Sequence, residues 1–157
     1  MEWIFLGVDP GVSGAITAIN DDGDIESTVR LNLPHREIYE HLAGTVYDRR
    51  AFAILEQVNA MPGQGVTSMF KFGASFGACQ MLLACCGVPY RQMVPRKWQA
   101  LLGVTPPKGL SQTQRKNHLK CHALKLYPDS KAILATSDAI LLGELARRLS
   151  TPLRGNI

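Results

Sequence analysis

Two short apolar runs that each end in a carboxylate constrain the fold of this chain most strongly. The run WIFLGVD predicts a strand over residues 4–9 that ends at Asp9, and the run AFAILEQV predicts another that ends at Glu56. Apolar runs without polar alternation are typical of strands buried on both faces. Because functional groups collect at the carboxyl ends of parallel strands, the two acids are expected to lie close together if the strands are neighbours.

The order of the remaining elements predicts a mixed sheet with helices on its faces. Two more β-rich runs surround the turn signal DDGD, which predicts an antiparallel meander with the first strand. The predicted elements after the first strand are strands at 15–19 and 25–33, a helix at 35–50, the strand ending at Glu56, a helix at 66–86, a strand at 88–94, and helices at 95–102, 115–127 and 136–149. We expect an α/β fold with five strands, three antiparallel and two parallel, flanked by helices. A chain of 157 residues with 46% hydrophobic residues has material for about one core, so residues 1–157 are expected to form a single domain.

Charge is distributed unevenly along the chain. Residues 1–56 hold 4 Lys/Arg against 10 Asp/Glu, whereas residues 57–157 hold 13 against 3. A basic surface attracts polyanions, because each neutralised phosphate releases condensed counterions. Nucleic acid is therefore one candidate partner, although basic surfaces also occur on proteins that bind no polyanion.

The sequence predicts a cytoplasmic protein with no membrane partner. Its apolar stretches are far shorter than the roughly 18 residues needed to span a bilayer. The beginning, MEWIFLGVDPG, lacks the basic region and the cleavage site of a signal peptide. The four cysteines show no paired CxxC spacing, which favours reduced thiols over a zinc site or a disulfide framework.

Three acids at the ends of predicted elements are candidate metal ligands: Asp9, Glu56 and Asp138. Each has a structural alternative, because Asp9 precedes a proline turn, Glu56 can be a solvated strand end, and Asp138 suits the first turn of a helix. Together they form the kind of oxygen-ligand set that Mg²⁺ prefers. The three positions thus predict a divalent-cation site.

Five motifs in order carry a resemblance to a known family: GVDPGVSGA, AILEQV, a Gly-rich helix, VPRKWQALLG and SDAILLGELA. The set resembles the RuvC-type Holliday junction resolvases of the ribonuclease H-like superfamily across essentially the whole chain. The compact form, with MPGQGVTSMFKFGASFGA, is most similar to members encoded by bacteriophages. The resemblance implies one RuvC-like nuclease domain over residues 1–157 with a ribonuclease H-like sheet.

The resemblance also implies an activity and its cofactors. It implies that Asp9, Glu56 and Asp138 bind Mg²⁺, for which Mn²⁺ can substitute, and that they support phosphodiester hydrolysis. It further implies a homodimer that holds a four-way or otherwise branched DNA junction and nicks two strands. The location implied is the cytoplasm of a bacterial cell, including a phage-infected one.

Basic and aromatic residues are assigned to DNA by the same resemblance. Lysines that follow VPRKWQALLG contact phosphate near the scissile bond in the family, and Lys116 is the preferred catalytic match, with Lys108 second. The predicted DNA-binding residues are Phe70, Lys71, Lys108, Arg115, Lys116 and Lys120. A solvated helix face is an equal alternative for each lysine, and a place in the core is an alternative for Phe70, which could also stack on a base.

One position departs from the family. Members usually carry an acid or a histidine three residues before the aspartate that matches Asp138, and this chain has Ala135. If both positions lie on one helix, they share a face, and alanine supplies no ligand there. Either three carboxylates suffice, or Ala135 is a natural or engineered change that impairs cleavage.

Two other functions remain alternatives. A junction-binding protein without catalysis is compatible with Ala135. The segment from Asp9 to Ala15 also resembles the first phosphate loop of the actin-like ATPases, so an actin-like phosphate-binding fragment is a further alternative. Those ATPases need two such domains, for which this chain has no room.

The helix predicted over residues 66–86 is apolar on nearly all sides, which predicts a buried helix. Its centre is rich in small residues, including Gly73, Ala74 and Gly77, which would let a sheet or a second subunit approach closely. We therefore expect it to contribute to a homodimer interface. In the following segment, Trp98 is predicted to anchor a short helix to the core.

Overall fold

The computed structural model describes residues 1–59, 63 and 65–154, with side chains up to residue 150. Most of the segment MPGQG therefore lies outside the described residues. The elements in chain order are β1 (Trp3–Asp9), β2 (Ala15–Asn20), β3 (Ile25–Arg30), α1 (His35–Val46), β4 (Arg50–Glu56), α2 (Val66–Cys85), β5 (Tyr90–Met93), α3 (Pro95–Leu102), α4 (Gln112–Leu126), a 3-10 turn (Pro128–Ser130) and α5 (Ser137–Arg154).

The five strands form one mixed sheet in the order β3-β2-β1-β4-β5. Strands β1, β2 and β3 pair antiparallel, whereas β4 pairs parallel with β1 and with β5. The predicted fold class is thereby confirmed. In the β1–β4 register Val8 lies opposite Leu55, so the next residue on each strand, Asp9 and Glu56, emerges at the same edge of the sheet.

The core has two layers, one on each face of the sheet. Phe5 of β1 packs into a layer with residues of α3, α4 and α5, whereas Ile4, Leu6 and Val8 pack into a layer with α1 and α2. Alternate side chains of a strand point to opposite faces, so burial on both faces requires a continuous apolar run. This arrangement explains why β1 shows no polar alternation.

A close backbone crossing between β1 and α5 sets the position of the last helix. A Cβ atom at Gly7 would lie 2.0 Å from the carbonyl oxygen of Ala139 and 2.2 Å from the nitrogen of Gly143. Only glycine fits at this point of β1, because the atoms that would be hit belong to the backbone. The crossing holds the first turns of α5 directly on the strand that ends at Asp9.

Helix α4 begins earlier than predicted, at Gln112 rather than at residue 115. The cause is a capping box in which the Ser111 side chain accepts a hydrogen bond from the Gln114 backbone N–H, and the Gln114 side chain accepts one from the backbone N–H of Ser111. These bonds satisfy two backbone groups that an uncapped helix start leaves unpaired.

The prediction that α2 is buried is wrong for the single protomer, whereas burial against a second subunit stays a prediction. Within α2 only Cys79 and Leu83 are buried, whereas Val66, Phe70 and Met81 are 85%, 78% and 65% exposed. An apolar composition on all sides made the helix look like a core element, yet only one of its faces contacts the sheet. The opposite face is solvent-exposed in the described part of the chain.

No helix among the described residues has both the length and the apolar character that crossing a bilayer demands.

Candidate metal centre

Three carboxylates meet at the carboxyl edge of the central strands. Asp9 ends β1, Glu56 ends β4, and Asp138 lies in the first turn of α5. One carboxylate oxygen from each lies within 4.8 Å of the others, and all three residues are buried. Among the described residues, they form the one group of three or more histidine, cysteine or acidic side chains close enough to share a metal ion.

The loop that follows Asp9 folds back on it and joins it to α2. A Cβ atom at Gly14 would lie 1.9 Å from the backbone oxygen of Asp9, so the return of the chain requires glycine. Gly11 has a positive φ of 119°, and its N–H donates a 2.8 Å hydrogen bond to the Ser75 hydroxyl. The glycines of DPGVSG therefore shape the backbone around the first acid.

Two of the three acids accept a hydrogen bond from a neighbouring helix. The indole Nε1 of Trp98 donates to Oε2 of Glu56 at 2.6 Å. Nζ of Lys116 on α4 contacts Oδ2 of Asp138 at 2.5 Å. The other oxygen of Asp138, Oδ1, is buried and has no hydrogen-bond partner among the described residues. An orphaned buried carboxylate oxygen is expensive unless a cation or water satisfies it.

The electrostatics of the cluster oppose three simultaneous negative charges. Burial raises the pKa of Asp9 well above its ordinary value, and the charges of Asp138 and Glu56 raise it further. Burial also raises the pKa of Glu56 to about 7, with Asp138 adding to the effect and the Trp98 hydrogen bond opposing it. Burial lowers the pKa of Lys116, but the acids beside it outweigh this and raise the pKa overall, so this lysine stays cationic.

The cluster fits a hard divalent cation. Its donors are carboxylate oxygens, the ligand type that Mg²⁺ and Mn²⁺ prefer. A cation would satisfy the orphaned Oδ1 of Asp138 and would compensate the repulsion that raises the pKa values of Asp9 and Glu56. The residues present therefore fit a divalent metal ion.

Of the residues predicted to bind DNA, the structure brings Lys116 to the acids. Lys71, Lys108 and Arg115 are exposed, and Lys120 is half-buried on α4. In the described chain, the ion pair with the acidic cluster is made by Lys116 rather than by the second choice, Lys108. Phe70 is 78% exposed, so its alternative place in the core is wrong.

Ala135 lies in the turn that precedes α5, and it is half-buried. The expectation that it shares a helix face with Asp138 is wrong, because α5 begins only at Ser137. The backbone N–H groups of Thr136 and Ser137 both donate to the carbonyl of Ile133, which closes the turn before the regular helix starts. A longer side chain at position 135 would extend from this turn.

Two interacting side chains escaped the sequence analysis. Trp98 was predicted as a core anchor only, and nothing in its local sequence shows that its N–H meets Glu56. Glu144 is a buried acid of α5 that accepts hydrogen bonds from Tyr127, Arg147 and Arg148. Its arginines follow at three and four residues, a spacing that could have predicted these ion pairs. Glu144 is thus compensated by cations and is not part of the acidic cluster.

The sheet order, the helices on both faces and the acidic edge define a ribonuclease H-like α/β fold of the RuvC type, with a candidate centre for a divalent metal ion. Two solved structures share this fold. One is described as Thermus thermophilus RuvC in complex with Holliday junction substrate. It has a TM-score of 0.57 and 13% identity over 98% of this chain and 96% of that chain.

The other is a Thermus thermophilus RuvC structure, with a TM-score of 0.53 and 15% identity over 98% of this chain and 97% of that chain. At such identities the likeness establishes the fold. No protein-family model and no curated protein matches the sequence.

Proposed function

We propose that this chain is a divalent-metal-dependent endonuclease that binds Holliday or other branched DNA junctions and hydrolyses phosphodiester bonds in them. The observation that carries the proposal is the meeting of Asp9, Glu56 and Asp138, with Lys116 beside them, in a fold shared with RuvC. The solved neighbour bound to a Holliday junction supports the substrate class. On the basis of the sequence motifs, the proposal also includes a bacteriophage origin and a location in the bacterial cytoplasm.

The residues have separate roles in this proposal. Asp9, Glu56 and Asp138 hold the metal, with Mg²⁺ as the cofactor and Mn²⁺ as its substitute. Bound divalent cations of this kind activate water and stabilise the leaving oxygen of a phosphodiester. Lys116 keeps a positive charge at the acidic edge, where it can neutralise a phosphate that approaches the carboxylates. The exposed Lys71, Lys108 and Arg115, the half-buried Lys120 and the exposed ring of Phe70 extend the surface offered to DNA.

A labelled four-way junction incubated with the protein in Mg²⁺ and in EDTA tests the proposal. Nicking in Mg²⁺, binding in both, and loss of nicking in Asp9→Asn are expected. Asp22→Asn is the matched control, because Asp22 is an exposed aspartate in the β2–β3 turn, at the opposite end of the sheet. Cleavage by folded Asp9→Asn at the wild-type rate would refute the metal assignment.

The same experiment separates the nuclease from the non-catalytic alternative. Junction binding without nicking in either Mg²⁺ or Mn²⁺ would support a binding protein whose activity is lost at Ala135. Absence of any preference for a junction over a linear duplex would refute the substrate class.

We also propose that two copies associate through the exposed apolar face of α2. Val66 and Met81 lie on this face together with the glycines of the helix centre, whereas Phe70 of the same helix is assigned to DNA. Burial of apolar surface of this kind against a partner lowers the free energy of the complex. Two symmetric cuts in one junction also call for two active sites related by a twofold axis.

Gly77→Leu tests this interface without disturbing the protomer. A Cβ atom at Gly77 meets no atom within 4 Å, so the larger side chain has room in a single chain. The expected result is weaker self-association in sedimentation at unchanged thermal stability. Gly44→Leu is the matched control, because Gly44 is an exposed helical glycine with equal space on α1. A wild-type chain that stays monomeric at high concentration would contradict the dimer.

A further inference from the structure

Trp98 occupies an unusual position between the core and the acidic cluster. Its side chain is fully buried in the layer of α3, α4 and α5, where it is among the largest buried side chains. Its one polar side-chain atom, Nε1, donates a hydrogen bond to Oε2 of Glu56 at 2.6 Å. The indole therefore joins the hydrophobic core to the metal centre directly.

The backbone around Trp98 fixes where this donor points. Strand β5 is tied to β4 beyond Glu56, because Gln57 N–H donates to the carbonyl of Met93 at 2.8 Å. Helix α3 starts two residues after Met93, with Pro95 in its first turn. The backbone N–H of Trp98 donates to the carbonyl of Val94. The indole is thus held by packing on all sides and by a helix anchored to the strand beside Glu56.

The chemistry of indole limits what Trp98 can do. Its N–H is a donor only, so it can neither ligate a metal nor accept a proton. A carboxylate offers about four lone-pair sites, so one hydrogen bond on Oε2 leaves others for a cation. A donor that is itself rigid restricts the rotation of the carboxylate it holds. Partners of this kind orient metal ligands.

We propose that Trp98 is a positioning residue for the metal centre. Its indole N–H holds the Glu56 carboxylate in the orientation that faces Asp9 and Asp138. Its effect on catalysis rests on the proposed nuclease function, whereas its effect on metal affinity does not. The proposal assigns to the VPRKWQALLG segment a role at the active centre in addition to core packing.

Trp98→Phe is the direct test, because it keeps a buried aromatic ring and removes the N–H. Mn²⁺ affinity, measured by calorimetry without DNA, is expected to fall by roughly 10-fold, the lower end of losses seen for orienting partners of metal ligands. The Mn²⁺ concentration for half-maximal nicking should rise in parallel, while junction affinity in EDTA stays unchanged. Trp3→Phe is the matched control, since Trp3 begins β1, about 20 Å along the strand from Asp9.

A second measurement decides the question even if Trp98→Phe does not fold. The chain has 2 tryptophans, so the Trp3→Phe protein gives a single indole N–H resonance in a nitrogen-15 spectrum. That resonance should exchange slowly with solvent and should shift when Mg²⁺ is added. An unmoved resonance at saturating Mg²⁺, or wild-type Mn²⁺ affinity in folded Trp98→Phe, would overturn the proposal.

The outcomes also distinguish this proposal from the proposed function. A loss of Mn²⁺ affinity in Trp98→Phe, in a protein that never nicks a junction, would support the positioning role and refute the nuclease. Absence of Mn²⁺ binding to the wild-type chain would overturn both. Nicking by the wild type together with normal metal binding by Trp98→Phe would overturn the positioning role alone.

Discussion

Lowering the pH of the metal-free protein from about 8 to about 5 is expected to increase its free energy of unfolding. The cause is the acidic cluster, where burial and mutual repulsion raise the pKa values of Asp9 and Glu56. A carboxyl group whose pKa is higher in the folded state binds protons more tightly there, so protonation favours folding. This behaviour is opposite to that of ordinary ion-paired acids, which lose stability on acidification.

The size of the effect follows from Glu56, whose pKa rises from 4.5 to about 7 on folding. Each tenfold step in proton affinity corresponds to about 1.36 kcal/mol, so Glu56 alone destabilises the metal-free protein at high pH by roughly 3 kcal/mol. This penalty is present above the folded pKa and disappears as the pH falls towards 4.5. Asp9 contributes with the same sign.

Urea unfolding in EDTA at several pH values measures this dependence. Glu56→Gln should be more stable than the wild type at high pH and should show a shallower slope. His122 acts in the opposite direction, because burial lowers its pKa and protonation then disfavours folding. Its side chain is partly exposed, so the contribution is small. Comparison with Glu56→Gln isolates the cluster because His122 is present in both proteins.

Mg²⁺ should remove most of the pH dependence. A cation at about 100 times its dissociation constant stabilises the folded state by roughly 2.7 kcal/mol, and the effect should be largest at high pH, where no proton competes. Equal stability of the metal-free protein at about pH 5 and about pH 8, with a parallel profile in Glu56→Gln, would refute the electrostatic account of the site.

Three further perturbations test the architecture around the centre. Gly7→Ala should destabilise the protein by about 3 kcal/mol or more in urea unfolding and weaken Mn²⁺ binding, because its Cβ would strike the α5 backbone. The control Gly44→Ala, at an open helical position, should be neutral or stabilising in the same assay. Lys116→Gln should slow nicking by roughly 100-fold, while Mn²⁺ affinity in calorimetry is kept or increased because the competing cation on Asp138 is removed. Nicking at the wild-type rate would exclude Lys116 as the catalytic lysine. Ala135→Asp tests whether an acid in the turn before α5 reaches the metal. Acceleration of Mg²⁺-dependent nicking by about 100-fold at similar junction affinity would show that it does, and an unchanged rate in an already active enzyme would show that three carboxylates suffice.

The positions of Asp9 and Glu56 could be predicted from the sequence because their signal is local. A strand buried on both faces needs a continuous apolar run, and the first polar residue after the run marks its end. The strand register then places the two carboxyl ends at one edge, as the structure shows. The glycines of DPGVSG carried a similar local signal, since a tight return of the backbone excludes a Cβ atom.

Only the tertiary structure decided which helix faces meet the site. The sequence ranked Lys116 before Lys108 only through the family resemblance. The contact of Lys116 with Asp138 depends on how α4, started by its Ser111 cap, packs against α5. The Trp98–Glu56 hydrogen bond joins residues 42 positions apart and has no local pattern.

The exposure of α2 and the place of Ala135 show the same limit. Composition establishes that a helix is apolar, but which of its faces is covered depends on the elements that pack against it. In the described chain the sheet covers one face of α2, and a turn rather than a helix holds Ala135. Periodicity determines the elements along the chain, whereas contacts between distant elements determine which side chains share a site, because packing depends on shape in three dimensions.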